Sequence, residues 1–318
     1  MRKSDSNSIY KTFDLSKSRP KVLLIGNGFN LLVGNNLSNY SIVNNLFKFF
    51  QPKLKKQERE VIVSEIPFSL AVMLTINSGD QSKAKNLDKA LTKDELLKTK
   101  YKDNPILEEL LMIGFDAVLT TNFTYECERL LDDNFDNKDK YIKTNNIVNG
   151  KTIKEKKYLL KTYNQIKKDN TIFNIWHIHG EIRKTNSFIS GIPDYNGLIT
   201  RINNYISNSY KNESIRFDSW IDYLLYGDVY VVGNGFSYYE FDLWQLLYKK
   251  RYLKNGGKTI FYEPKSDKDF AKQKVLKLLN VDVRNLGVKN LETGCSLLFE
   301  GFYKKAINNI KKEIAKEK

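Results

Sequence analysis

Six short apolar runs punctuate the chain, each four to eight residues long and most ending at glycine or a polar turn. They are residues 21–26 (KVLLIG), 116–120 (DAVLT), 171–178 (TIFNIWHI), 228–233 (DVYVVG), 258–262 (KTIFY) and 281–284 (VDVR). Runs of this length, rich in Val and Ile, predict buried strands. None is joined to the next by a two-residue hairpin, and helical periodicity fills most of the gaps, so the strands are expected to run mostly parallel. The helical patterns are 104–112 with Pro105 in the first turn, 239–252, 267–279 and 298–314. In 239–252, Phe241, Trp244, Leu247 and Tyr248 share one helical face, and Gly256 and Gly257 follow as terminators. Three stretches break the rhythm and are expected to be helical insertions: 35–102, with an apolar segment at 66–76; 126–170, rich in Lys, Asn and Asp; and 197–226. The pattern therefore predicts one α/β domain over 1–318, with a mostly parallel six-stranded sheet and helical insertions.

Composition narrows the class. At 318 residues and 41% hydrophobic, the chain can bury a core without disulfide or metal staples. Its two cysteines, Cys127 and Cys295, form no Cys-x-x-Cys pair, so no thiolate zinc site is expected and a reduced, cytoplasmic setting is the default. No apolar run reaches the roughly 18 residues of a membrane span, and residues 1–20 lack the apolar core of a secretion signal. The net charge of +15, from 52 Lys+Arg against 37 Asp+Glu, is spread along the chain and dominated by Lys. Such a surface steers anionic ligands. It is not gathered into one basic motif, which argues against a nucleic-acid partner.

The candidate chemistry sits at strand ends. The first strand runs into Gly26-Asn27-Gly28-Phe29-Asn30, and the fourth into a near copy, Gly233-Asn234-Gly235-Phe236-Ser237. Gly-x-Gly after a strand makes a tight turn and lets backbone N–H groups approach a phosphate or ribose. Leu31 occupies the position of the third glycine in the Gly-x-Gly-x-x-Gly dinucleotide fingerprint, so that fingerprint is incomplete. The second strand ends in Thr121-Asn122-Phe123-Thr124 and the third in Trp176-His177-Ile178-His179-Gly180, which holds both histidines of the chain. Ligands of open α/β sheets sit beyond the carboxyl ends of the strands. Asn122 can donate and accept there. Neutral imidazole is suited to general-base work near pH 7, and His179, nearer the strand end, is the stronger candidate; two residues apart on a strand, both imidazoles should face the same way. No third or fourth metal ligand accompanies the pair, so no metal is expected.

Taken in order, the strand–GNGF, TTNF, HIHG and strand–GNGFS…D motifs resemble the sirtuin-like superfamily, most closely the bacterial sirtuin-like and AbiH-type abortive-infection proteins of phage defence. The likeness spans about residues 20–265. It implies a Rossmann-like NAD-binding domain. It implies that Asn122 and His179 act on the nicotinamide ribose, and that Gly26, Asn27, Gly28, Phe29, Asn30, Thr121, Gly233, Asn234, Gly235, Ser237 and Asp242 line the ligand, with Glu263 facing the adenosine ribose. Partners implied are the dinucleotide, a phage-derived trigger or defence protein, and a second copy of the chain. The sequence departs from the pattern in three places: the sirtuin zinc cysteines are missing, Asn30 stands where Asp is frequent, and Thr124 stands where sirtuins have Asp.

The expected reaction is hydrolysis of NAD to nicotinamide and ADP-ribose. The nicotinamide nitrogen is already cationic and leaves neutral, so the paired carboxylates a glycosidase requires are not needed, and none is obvious in the sequence. Two other readings stay open: a sensor of NAD-derived nucleotides without turnover, and a nucleic-acid-directed defence factor.

Overall fold

The computed structural model describes residues 13–317 except 16, 33–43, 45, 49, 50, 52, 67–69, 72, 75–103, 136–141, 145, 146, 149, 150, 153, 154, 183, 190, 210–214, 265–269 and 288–295. In chain order its strands are β1 (Lys21–Ile25), β2 (Ala117–Thr120), β3 (Ile142–Thr144), β4 (Ile147–Val148), β5 (Lys151–Thr152), β6 (Thr162–Lys168), β7 (Thr171–His177), β8 (Asp228–Val232), β9 (Thr259–Pro264) and β10 (Val281–Leu286). The helices are α1 (Gly28–Leu32), α2 (Lys56–Glu65), α3 (Pro105–Leu111), α4 (Glu126–Leu131), α5 (Ile192–Ser209), α6 (Trp220–Tyr226), α7 (Phe241–Arg251), α8 (Phe270–Leu278) and α9 (Ser296–Lys316).

The main sheet has eight strands in the order β10-β9-β8-β1-β2-β7-β6-β3. From β10 to β7 every pairing is parallel, and these six strands are the six apolar runs of the sequence. Ranked by chain position, their order across the sheet is 6-5-4-1-2-3, the arrangement of doubly wound nucleotide-binding sheets. The architecture is α/β and compatible with a Rossmann-like fold.

The expectation of six strands is corrected by β6 and β3, which extend the sheet antiparallel beyond β7. Both lie in 126–170, expected to be a helical insertion; among the described residues there, α4 is the one α-helix. A two-residue turn, Asp169-Asn170, joins β6 to β7, and Asp169 has φ 53°. Such turns favour Asn and Asp because these tolerate the left-handed region. The insertion at 197–226 is helical, supplied by α5 and α6. Most of 35–102 lies outside the described residues, but α2 within it is helical, and Leu46, Phe47 and Ala71 are buried.

Alternation along β1 shows why these strands carry no polar face. Leu23 and Ile25 join Val118 and Tyr230 in one core layer, with Leu107 and Leu110 of α3 and Ile307 and Ile310 of α9. Val22 and Leu24 join Leu119 and Val231 in the other, with Leu198 of α5, Leu224 of α6, Leu243 of α7 and Leu276 of α8. A parallel sheet covered on both faces has this two-sided apolar character. Truncating one such leucine to alanine costs about 2–5 kcal/mol. Asn104 caps α3, accepting from the Leu107 amide at 3.1 Å ahead of Pro105. In α7, Leu243, Leu246 and Leu247 are buried, whereas Phe241 and Tyr248 are exposed. The helix docks through its leucine rows, which follow the 3.6-residue period as well as the aromatic row does.

Candidate functional site

Four neighbouring strands, β8-β1-β2-β7, each end in one of the four sequence motifs. The pairing is in register: Ile25 lies opposite Thr120 and Val232, and Thr120 opposite His177. The motifs therefore stand side by side along one carboxyl edge, with the chain-order reversal between β1 and β8.

At that reversal the two glycine turns are packed on one another. The Gly28 amide donates to the Gly233 carbonyl at 2.8 Å. A Cβ on Gly28 would overlap the Tyr303 hydroxyl and stand 2.7 Å from the Gly233 carbonyl oxygen. Gly233 has φ 68°, and Phe29 fills the space where its side chain would be. Gly235 differs: it is exposed, its φ lies outside the left-handed region, and a Cβ there meets nothing within 4 Å. Tyr303, from α9, also lies ring-to-ring with Phe29 at 4.3 Å.

Beside this junction lies a buried carboxylate that sequence reasoning missed. Glu126, in the first turn of α4, is 4% exposed. Its Oε1 accepts from Asn122 Nδ2 at 2.8 Å and from Asn30 Nδ2 at 2.5 Å. Asn30 Nδ2 also donates to Asn27 Oδ1 at 2.8 Å, and Asn122 Nδ2 to the Gly26 carbonyl at 3.2 Å. Burial raises the Glu126 pKa above its ordinary value, against the pull of the Asn30 amide and the Thr124 hydroxyl. Asn30 and Asn122 thus meet at one acid, and Asn27 joins them through Asn30.

The two histidines do not face the same way, contrary to expectation. The Gly180 amide turns back to the His177 carbonyl at 3.1 Å, ending the strand before His179. His177 packs edge-on to Tyr125 in one core layer; His179 packs edge-on to Tyr195 in the other. His177 Nε2 lies 2.8 Å from Glu128 Oε1, and Nδ1 lies 2.8 Å from the Asn122 carbonyl oxygen. The Asn122 carbonyl can only accept, so Nδ1 carries a hydrogen, and an Nε2–H donated to Glu128 makes the ring an imidazolium. Burial works against that charge, yet Glu128 outweighs it and His177 is pushed up to about 9. Glu128 also accepts from Asn164 Nδ2 at 2.9 Å. His177 is therefore one half of a buried ion pair that grips the backbone of Asn122.

His179 Nε2 lies 3.0 Å from Asp242 Oδ2. The carboxylate assigns the proton to Nε2, which leaves Nδ1 as the basic nitrogen of the neutral ring. Burial again opposes the charged form, and Asp242 with Glu240 raises the His179 pKa despite it. Asp242, expected among the ligand-lining residues, is the histidine's partner, and its Oδ1 is buried with no hydrogen bond from the described residues. His179 is 3% exposed.

The second glycine turn is braced from within. Asn234 Oδ1 accepts from the Phe236 amide at 2.7 Å, and its Nδ2 donates to Thr121 Oγ1 at 3.2 Å, tying β8's turn to β2's. Glu240 accepts from the Ser237 amide at 2.8 Å. Glu263 is engaged on both oxygens, by Lys272 Nζ at 2.5 Å and Gln273 Nε2 at 3.1 Å, and Lys272 also donates to the Gly235 carbonyl at 3.1 Å. Asn122 and His179 end adjacent strands but share no hydrogen bond.

The sequence offered no obvious carboxylates; the structure supplies Glu126, Glu128, Glu240 and Asp242 around the Asn and His positions. One signal was present: Glu126 and Glu128 follow the TTNF motif directly, interleaved with Tyr125 and Cys127. Among the described residues no group of three His, Cys, Asp or Glu could hold a metal ion, and no helix is long and apolar enough to cross a membrane. No family model and no curated protein matches the chain.

Proposed function

We propose that the carboxyl edge over β8-β1-β2-β7 binds NAD and hydrolyses its nicotinamide–ribose bond. The observation that supports this most is the alignment of all four motifs on four adjacent strands at the reversal of strand order, where open α/β sheets take their ligands. A dinucleotide fits what lies there. Gly235 is open on the side where a side chain would stand, so backbone can come close to a phosphate. Asn122 and His179 would act at the nicotinamide ribose, with Asn122 accepting from a hydroxyl or a water.

In the reaction, nicotinamide leaves neutral as its bond to the ribose breaks, and water adds to the ribose carbon. His179 Nδ1 takes the proton released by that water, and Asp242 stabilises the imidazolium that forms. Base assistance of this kind is worth about 10²–10⁴-fold. One observation favours a second reading, a nucleotide sensor without turnover: His179 is 3% exposed, poorly placed to reach a water in this conformation.

Incubation with NAD, with free nicotinamide followed by chromatography, tests the proposal. Release of nicotinamide that disappears in His179→Ala supports hydrolysis. Saturable NAD or ADP-ribose binding without release selects the sensor. Neither binding nor release discards both. The surrounding expectations, a defence setting, a phage-derived trigger and a second copy of the chain, rest on the motif resemblance alone.

A further inference from the structure

The side-chain amide of Asn122 has both of its hydrogens committed. Nδ2 lies 3.2 Å from the Gly26 carbonyl oxygen and 2.8 Å from Glu126 Oε1. A carbonyl cannot donate, and a carboxylate accepts, so the nitrogen must be the end that faces them. The orientation of an amide is set by such partners. The residue is held on its main chain as well: its carbonyl accepts from His177 Nδ1 at 2.8 Å, and its N–H donates to Thr120 Oγ1 at 3.1 Å. What remains is Oδ1. It has no partner among the described residues, and Asn122 is half-buried.

We propose that Glu126 is a positioning residue that locks the Asn122 amide with Oδ1 as its only free end, so that Asn122 serves a ligand solely as a hydrogen-bond acceptor. This rests on the proposed function for its consequence in turnover, and on geometry for the lock. It sharpens the substrate requirement: the group meeting Asn122 must carry a donatable hydrogen, as a ribose hydroxyl or a water does, and a carbonyl or phosphate oxygen is refused. Glu126 can hold this position because Asn30 Nδ2, at 2.5 Å, answers the charge of the same oxygen. With Glu126 removed, Gly26 alone holds the amide and rotation exchanges its two ends. A reacting group displaced by about 1 Å loses on the order of 10²-fold in rate.

The test combines two readouts on the full chain. In protein labelled with ¹⁵N at asparagine, the Asn122 side-chain signal is assigned by its loss in Asn122→Ser. Solvent exchange of both amide protons is expected to be slow; exchange as fast as that of a free asparagine amide overturns the lock whatever the enzyme does. With NAD as substrate, Glu126→Leu is expected to lower kcat of nicotinamide release about 100-fold with little change in KM, and to speed exchange of the Asn122 amide at least tenfold. Glu126→Gln, whose carbonyl can still accept from Asn122, is expected to recover most of that loss. Parental kcat in Glu126→Leu overturns the proposal. So does a Gln variant as impaired as the Leu variant, which would make the carboxylate itself the reacting group. Should Glu126→Leu fail to fold, the wild-type amide signals and the Gln variant decide. If the parental protein releases no nicotinamide, the hydrolase reading falls, while the amide signals still judge the lock.

Discussion

The Gly28 amide donates to the Gly233 carbonyl at 2.8 Å, joining across two neighbouring strands the turns that follow β1 and β8. The two glycine motifs are one structural unit. Their glycines nevertheless serve different ends, and substitution separates them. Gly28→Ala pushes a methyl group against the Gly233 carbonyl and Tyr303. It is expected to lower stability by about 1–3 kcal/mol, the usual cost of overpacking. Gly235→Ala meets no atom and needs no left-handed backbone, so its stability should change by less than about 0.5 kcal/mol. Its NAD affinity should fall, because the methyl group occupies space the fold leaves open. Denaturant titration and calorimetry with NAD read the two effects. Equal losses of stability in both variants would contradict the distinction.

The His177–Glu128 pair makes stability depend on pH. The unfolded imidazole titrates near 6.5, and the folded one is pushed up to about 9. A raised folded pKa stabilises fully below the unfolded value and is lost as pH rises through the folded one. The loss between about pH 6.5 and 9 is on the order of 3 kcal/mol. Melting temperatures measured across that window should decline, and a variant with His177→Gln should decline less. His177→Ala should harm stability more than chemistry, by about 3–5 kcal/mol, because Glu128 stays buried without its cation.

Asn30→Asp should create a pH-dependent defect. It would place a second carboxylate against Glu126, where the Asn30 nitrogen now lies at 2.5 Å. Two acids so close must share a proton, so the folded-state pKa of one rises. A carboxyl pKa raised on folding costs stability above the unfolded value, near 4, and the cost grows until pH passes the raised one. A penalty of roughly 2–4 kcal/mol at pH 8 that vanishes near pH 4 is expected. Urea unfolding at the two pH values measures it.

Asp242→Asn should leave the fold intact and impair turnover by about 10²–10⁴-fold. The amide no longer fixes the proton on His179 Nε2 or stabilises the imidazolium. Nicotinamide release across pH reports this: the alkaline plateau should drop and the apparent pKa of the base should fall. An unchanged profile would remove His179 from the reaction.

The parallel core was legible in the sequence because burial on both faces leaves an uninterrupted apolar run, as in residues 21–25 and 228–232. The antiparallel strand β6 was not. Its sequence, TYNQIKK, mixes polar residues through a strand that is nonetheless mostly buried, and the Asp169-Asn170 turn was its one local signal. The Asn and His motifs were visible because they end strands. Glu126 and Glu128 were not, because burial of a charge depends on partners distant in sequence. Asn30 lies 96 positions before Glu126 and His177 lies 49 positions after Glu128. The divergence of His177 and His179 was hidden for a related reason: a strand's alternation ends with the strand, and a turn begins between them.

The central place of β1 also governs the order of assembly. Its neighbour β8 pairs with it from 207 positions away, as Lys21 against Asp228. During synthesis, β1 therefore waits with one hydrogen-bonding edge bare until that later strand emerges. Closing so long a loop carries an entropic penalty before any contact offsets it, which makes sheets of this kind slow to form and prone to mispairing. The carboxyl edge proposed to take the ligand cannot form in the first half of the chain; it is completed only when β8 docks and Tyr303 of α9 packs at the glycine joint. Ribosome-bound chains ending before residue 228 should bind no nucleotide, and a chaperone that shields β1 would act in that interval.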